Sequence, residues 1–127
     1  MTTKDPIEVV EQFFAHFGPT WEELIGSFDV FFTPQTVWEN VGVAVTTGID
    51  EAKAFTQSFP IEFEYMSVEV LHMAAVGNVV MTERIDHFHD KAGHIVFSIR
   101  VAGTFEIENG RIVHWRDYFD TSRLAAG

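Results

Sequence analysis

The sequence predicts an α+β fold in which three early helices cover one concave face of a curved antiparallel sheet, a cone that makes a natural pocket. Three observations carry this. Helix caps and helical apolar spacing are confined to the first half, long β-like runs fill the second, and turn-forming residues separate those runs. Asp5-Pro6 forms an N-cap with Pro at the first helical position, and Ile7, Val10, Phe13, Phe14 and Phe17 follow at helical spacing up to Gly18. Thr20 with Glu23 three residues later makes a capping box for a second helix. That helix carries Trp21, Leu24, Ile25, Phe28, Phe31 and Phe32 and is expected to end before Pro34. After one extended stretch over 36–45, a third helix should begin near Asp50 and run through Ala52, Ala54 and Phe55 to the break at Pro60.

From Ile61 the period changes to two, with β-like runs over 62–75, 78–89, 94–108 and 111–120. Gly77-Asn78, residues 90–93 and Asn109-Gly110 between them have the chemistry of hairpin turns. In the third run Ile95, Phe97, Ile99, Val101, Phe105 and Ile107 share one face, as in a strand with one side on a core.

With 127 residues, 46% of them apolar, and no repeat, low-complexity tract or linker, residues 1–127 form one unit large enough to bury a core. Thirteen Phe exclude a disordered chain and favour an apolar, concave interior. Eight basic and 19 acidic residues leave a net charge of −11, which repels phosphate backbones and anionic lipid, so neither nucleic acid nor membrane is an expected partner. No cysteine is present, which removes a disulfide scaffold, a thiolate zinc site and a cysteine nucleophile. The opening MTTKDPIEVV has no apolar signal core, and a cytoplasmic location is expected.

The most informative position is Asp117. In the last run, alternation puts Val113, Trp115, Asp117 and Phe119 on one face and His114, Arg116 and Tyr118 on the other, so a carboxylate interrupts an apolar face. An ionised Asp there needs a cationic or hydrogen-bonding partner unless the strand end is solvated. Arg84 and Asp86, two apart, share a face of the second run with Thr82 and Phe88. One guanidinium can bond both carboxylates, and with one extra proton the trio's charges sum to zero. One Asp is then neutral, the condition for acid and base work from two identical side chains. A purely structural Arg–carboxylate pair is the alternative use of the same residues.

In the early extended stretch Trp38 and Asn40 share a face, with Glu39 opposite, so an indole N–H and an amide can look into the cone, or serve only as core and turn polarity. His87 and His89 share the strand face opposite Arg84 and Asp86. Without a carboxylate companion or an HExxH pattern they do not make a metal site, and no metal is expected. Neither GxGxxG nor GxxxxGK[ST] occurs, so no nucleotide cofactor is expected. A serine triad lacks its nucleophile elbow.

The segments VVMTERID (79–86) and GRIVHWRDYFD (110–120) closely resemble the limonene-1,2-epoxide hydrolase family, within the broader NTF2-like and SnoaL-like fold. The family's Arg-x-Asp matches Arg84-x-Asp86, its WRDYFD Asp matches Asp117, and its aromatic-x-Asn water site aligns with Trp38-Glu39-Asn40. The resemblance implies an NTF2-like cone over the whole chain, a strongly curved mixed or antiparallel sheet with three or four helices of the N-terminal half enclosing a deep pocket, usually a homodimer and working without metal or organic cofactor. It further implies an epoxide hydrolase that adds water to a hydrophobic, typically cyclic epoxide to give a vicinal diol in one step. Asp117 would take a proton from the attacking water, neutral Asp86 would protonate the departing oxygen, and Arg84 would bridge the two. Alternation nominates Phe63, Tyr65, Phe88, Ile99, Val101 and Phe119 as walls for the apolar substrate. The family has Tyr where this chain has Trp38, which donates a hydrogen bond but accepts none. A proton-transfer enzyme of ketosteroid-isomerase or polyketide-cyclase type and a noncatalytic apolar-ligand-binding protein are the competing readings of the same cone.

Overall fold

A computed structural model describes residues 5–124. Helix α1 (Pro6–Ala15) starts where the Asp5 carboxylate accepts from the N–H groups of Ile7 and Glu8, and α2 (Trp21–Phe31) starts where Thr20 Oγ1 accepts from Glu23 N at 3.1 Å. Both buried stripes are aromatic and meet at Phe13, whose ring packs edge-on against Phe17, Phe31 and Trp115 at centroid separations of 4.8, 5.5 and 5.3 Å. No helix among the described residues is long and apolar enough to cross a membrane.

Phe32, expected as the last helical residue, has an extended backbone and already begins strand β1 (Phe32–Asn40). The stretch expected as one extended segment is a hairpin instead: β1 turns through Gly42, whose φ is 83°, into β2 (Ala44–Thr47). Helix α3 (Gly48–Gln57) starts two residues before the expected Asp50. The N–H of Thr47 is bonded to the Glu51 carboxylate at 2.9 Å, and Gly48 takes a φ of 86° against the Pro34 carbonyl, where a side chain would collide.

The remaining strands are β3 (Tyr65–Val76), β4 (Val79–His89), β5 (Ile95–Glu108) and β6 (Arg111–Tyr118), followed by a short 3-10 turn (Thr121–Arg123). The turn between β5 and β6 is of the expected type, with both Asn109 (φ 52°) and Gly110 (φ 77°) left-handed. The six strands lie in the order β2-β1-β6-β5-β4-β3. The sheet is mixed rather than antiparallel throughout, because β1 runs parallel to β6 and thereby docks the helical half onto the far edge of the meander.

Register carries the inward face across the sheet in rows. Trp38 pairs with Trp115, Trp115 with Phe105, and Phe105 with Val80; two residues further on, Asn40 pairs with Asp117, Asp117 with Gly103, and Gly103 with Thr82. Strict alternation fails once in β6. Glu106 faces His114 whereas Ile107 faces Ile112, so Val113 is the extra residue of a bulge. The buried apolar position is therefore Ile112, and Val113 is only half-buried.

Candidate active site

Strands β4 and β6, on either side of β5, deliver three charged side chains to one point. Arg84 is 1% exposed, Asp117 4% and Asp86 7%, so the trio is sealed from bulk water almost completely. Arg84 Nε donates to Asp86 Oδ1 at 2.9 Å, and Nη2 donates both to Asp86 Oδ2 at 3.3 Å and to Asp117 Oδ2 at 2.7 Å. The remaining nitrogen, Nη1, donates to Thr82 Oγ1 at 3.0 Å. The planar fork thus spends all its nitrogens on the sheet floor, and its Cζ lies 5.4 Å from the Phe14 ring and 5.8 Å from that of Phe105.

Burial by itself opposes the Arg84 charge, but Asp117 and then Asp86 more than offset it, and the guanidinium is held more firmly protonated than a free one. Burial pushes the Asp117 carboxyl above the usual carboxylate range. The Arg84 charge and hydrogen bond oppose that rise, the nearby Asp86 carboxylate adds to it, and the Trp115 hydrogen bond opposes it.

Two residues that support the trio were not legible as site residues. Trp115 Nε1 donates to Asp117 Oδ1 at 2.7 Å, so both oxygens of Asp117 are held, one by an indole and one by a guanidinium. Alternation had placed Trp115 beside Asp117 only as a core aromatic. Gly103 is the second: a Cβ added there would collide with Asp117 Oδ1 and stand 2.8 Å from Arg84 Nη1. Its φ is not left-handed, so glycine is needed for space and not for the backbone. Gly103→Ala is expected to lower kcat about 10²-fold, by displacing the carboxylate on the order of 1 Å, with an unchanged circular dichroism spectrum.

Above the trio is a cavity with about 630 Å³ of space between its walls, the open solvent at its mouth included. Asp86, Asp117, Asn40 and Trp38 line it at one end, while Phe63, Phe88, Ile99, Val101 and Phe119 form apolar walls together with Phe59, which stacks on Phe88 at 5.4 Å. Phe63 does so from the segment before β3, and Phe119 from just beyond β6.

Tyr65 is corrected. It does not line this cavity but stacks on His89 at 4.5 Å and faces the groove on the other side of Met66, because β3 begins only at Tyr65 and alternation cannot be extended back to relate it to Phe63. Arg84 lies beneath the lining, reaching the cavity only through the carboxylates it holds.

Trp38 stacks on Trp115 at 4.5 Å with ring planes 3° apart, and its buried Nε1 has no hydrogen-bond partner among the described residues. An unpaired donor in such a place calls for a functional partner. The two histidines weighed as metal ligands are engaged elsewhere on the outer face: His87 with Ser98 Oγ at 2.7 Å and Glu69 Oε1 at 3.1 Å, His89 with Ser67 Oγ at 2.7 Å. Among the described residues no group of three or more His, Asp or Glu is disposed to hold a metal ion.

Comparison with known proteins agrees with this geometry. The family profile described as the limonene-1,2-epoxide hydrolase catalytic domain matches residues 4–126. The epoxide hydrolase EphG of Mycobacterium tuberculosis is 33% identical over 93 residues, a stretch that covers 72% of this chain and 59% of that protein's length. Among solved structures, an LEH-like epoxide hydrolase from M. tuberculosis superimposes with a TM-score of 0.73 at 28% identity, covering 98% of this chain and 84% of that one. A putative SnoaL-like polyketide cyclase from Jannaschia sp. has a TM-score of 0.74 at 16% identity, covering 94% and 88% of the two chains, a likeness of fold alone.

Proposed function

This chain belongs to the limonene-1,2-epoxide hydrolase family, and from that premise we propose that it opens a compact, hydrophobic epoxide, cyclic ones included, with water to give a vicinal diol. The observation that carries the reading is the placement of two carboxylates, bridged by one buried guanidinium, in a cavity wall that is otherwise mostly apolar among the described residues.

The step balances within the trio. A water oxygen forms a bond to an epoxide carbon as that carbon's bond to the ring oxygen breaks. The water's proton passes to Asp117, and the proton on Asp86 passes to the departing oxygen. Before and after, the trio holds one proton and carries no net charge, so no charge is created in the dry pocket. A carboxyl pushed up by burial is a stronger base than a free Asp once ionised, and Arg84 and Trp115 keep its oxygens pointed as acceptors. Asn40, paired in register with Asp117, accepts the water's second proton in a hydrogen bond, while the unpaired Trp38 N–H donates to one lone pair and leaves the other for attack. The reading includes a homodimeric assembly, checked by light scattering.

The test is a single turnover of enzyme in excess over terpene, cycloalkene and steroid-like epoxides in ¹⁸O-labelled water. Direct attack places the label in the first-turnover diol. Unlabelled diol at that stage would refute direct water attack, and isomerised enones without diol would move the chain to proton-transfer chemistry.

A further inference from the structure

The catalytic cavity has a neighbour at the β3 edge of the sheet. A wider groove, about 1190 Å³ with the open solvent above it, runs between α1 and β3, walled by Ile7, Phe14, Val68, Val70 and Met73. Among the described residues Met66 alone lines both spaces. It pairs in register with Phe88, whose ring is part of the catalytic cavity, so its side chain points to the same concave face. It also packs against both apolar clusters of the protein, the large one under α1 and α2 and the smaller one of Phe88, Ile99 and Val101.

The Met66 backbone is tied down, its N–H bonded to the Phe17 carbonyl at 2.9 Å. The side chain that lines both spaces is thus an unbranched thioether, the most adaptable of the apolar ones. We propose that Met66 is the partition that sets the length of substrate this enzyme accepts: with Met66 in place the cavity takes compact apolar molecules, and shortening it joins the cavity to the α1–β3 groove and admits a long apolar tail. The inference rests on the epoxide-opening reading for the identity of the substrate, but not for the partition itself. Continuation into the groove buries methylenes against apolar walls, a gain of about fourfold in affinity per fully buried CH₂.

The experiment uses two parallel series from four to twelve carbons, straight-chain 1,2-epoxyalkanes for kcat/KM and unreactive straight-chain primary amides for Kd by calorimetry. Wild type, Met66→Leu, Met66→Ala and Met66→Phe are compared. In the wild type and Met66→Leu, affinity is expected to stop rising once the chain fills the cavity. In Met66→Ala it continues to rise by about fourfold per added methylene over several more carbons, with short-chain binding little changed. In Met66→Phe the plateau comes at a shorter chain, which keeps the test decisive where the Ala variant does not fold.

The same length dependence in all four proteins would overturn the partition. If none of them opens any epoxide while the amide plateaus shift as described, the partition stands and the catalytic reading falls. Turnover by all four with plateaus that do not move has the opposite meaning.

Discussion

Asp117→Asn is expected to lower kcat by about 10²–10⁴-fold, the usual worth of a general base, and at the same time to make the protein more stable at neutral pH. Asparagine preserves the shape and, like the protonated carboxyl, keeps one carbonyl oxygen to accept from Arg84 or from Trp115 but not the two acceptors that the ionised Asp117 offers them, so the loss of rate reports the missing carboxylate. The stability gain follows from linkage. The Asp117 carboxyl is pushed above its ordinary value chiefly by burial, so the folded state favours the protonated form. That contribution is fully present below the unfolded value of about 4 and is lost as pH rises through the raised folded value. The variant has no such loss.

Thermal melts from pH 3.5 to 8 should therefore show the two proteins nearly equal at the acid end and the variant ahead at the neutral end. An unchanged difference across that range would remove the buried-base assignment. The acid limb of the wild-type kcat/KM profile should likewise lie above the ordinary carboxylate range. Trp115→Phe, which deletes a hydrogen bond that favours the ionised form, should move that limb higher still.

The second large effect is on folding. Arg84→Ala removes the largest fully buried side chain of the protein, which is also the single cation between two buried acids, and is expected to cost about 3–5 kcal/mol at pH 7. Against the roughly 5–15 kcal/mol that holds a domain of this size together, that is a large fraction. Without Arg84 the Asp117 carboxyl loses the charge that held it down and rises further, so the deficit should shrink as pH falls through that raised value and be smallest by the time the ordinary carboxylate value is reached.

Urea unfolding at pH 4 and pH 7 measures this. The double variant Arg84→Ala/Asp117→Asn should be more stable at pH 7 than the sum of the single effects allows, because the second change neutralises the charge the first one stranded. Strict additivity would mean that the two side chains do not depend on one another, contrary to the 2.7 Å contact between them.

Much of this site could be read from local spacing. Arg84-x-Asp86 and Trp115-x-Asp117 are period-two neighbours, and period two alone puts each pair on one face. Likewise the caps at Asp5 and Thr20 act within three residues, which is why α1 and α2 begin where the sequence says they do. The extrapolations that failed crossed an irregularity. Val113 was assigned to the inward face, but the bulge between Ile112 and His114 resets the alternation there. Tyr65 was assigned to the cavity by alternation with Phe63, but Phe63 precedes the strand.

Taken alone, the chain determined the starts of α1 and α2, the hairpin turns of its second half and the two local pairs Arg84-x-Asp86 and Trp115-x-Asp117, because each is a property of residues within a few positions of one another. Only the folded molecule decided that β1 lies parallel beside β6 and so sets Asn40 next to Asp117, that Gly103 leaves the space in which Asp117 and Arg84 meet, and that Met66 stands between two cavities. Those are lateral relations between segments far apart in sequence. Local periodicity states which face a side chain takes, and strand order and register, set by packing of the whole core, state what lies across from it.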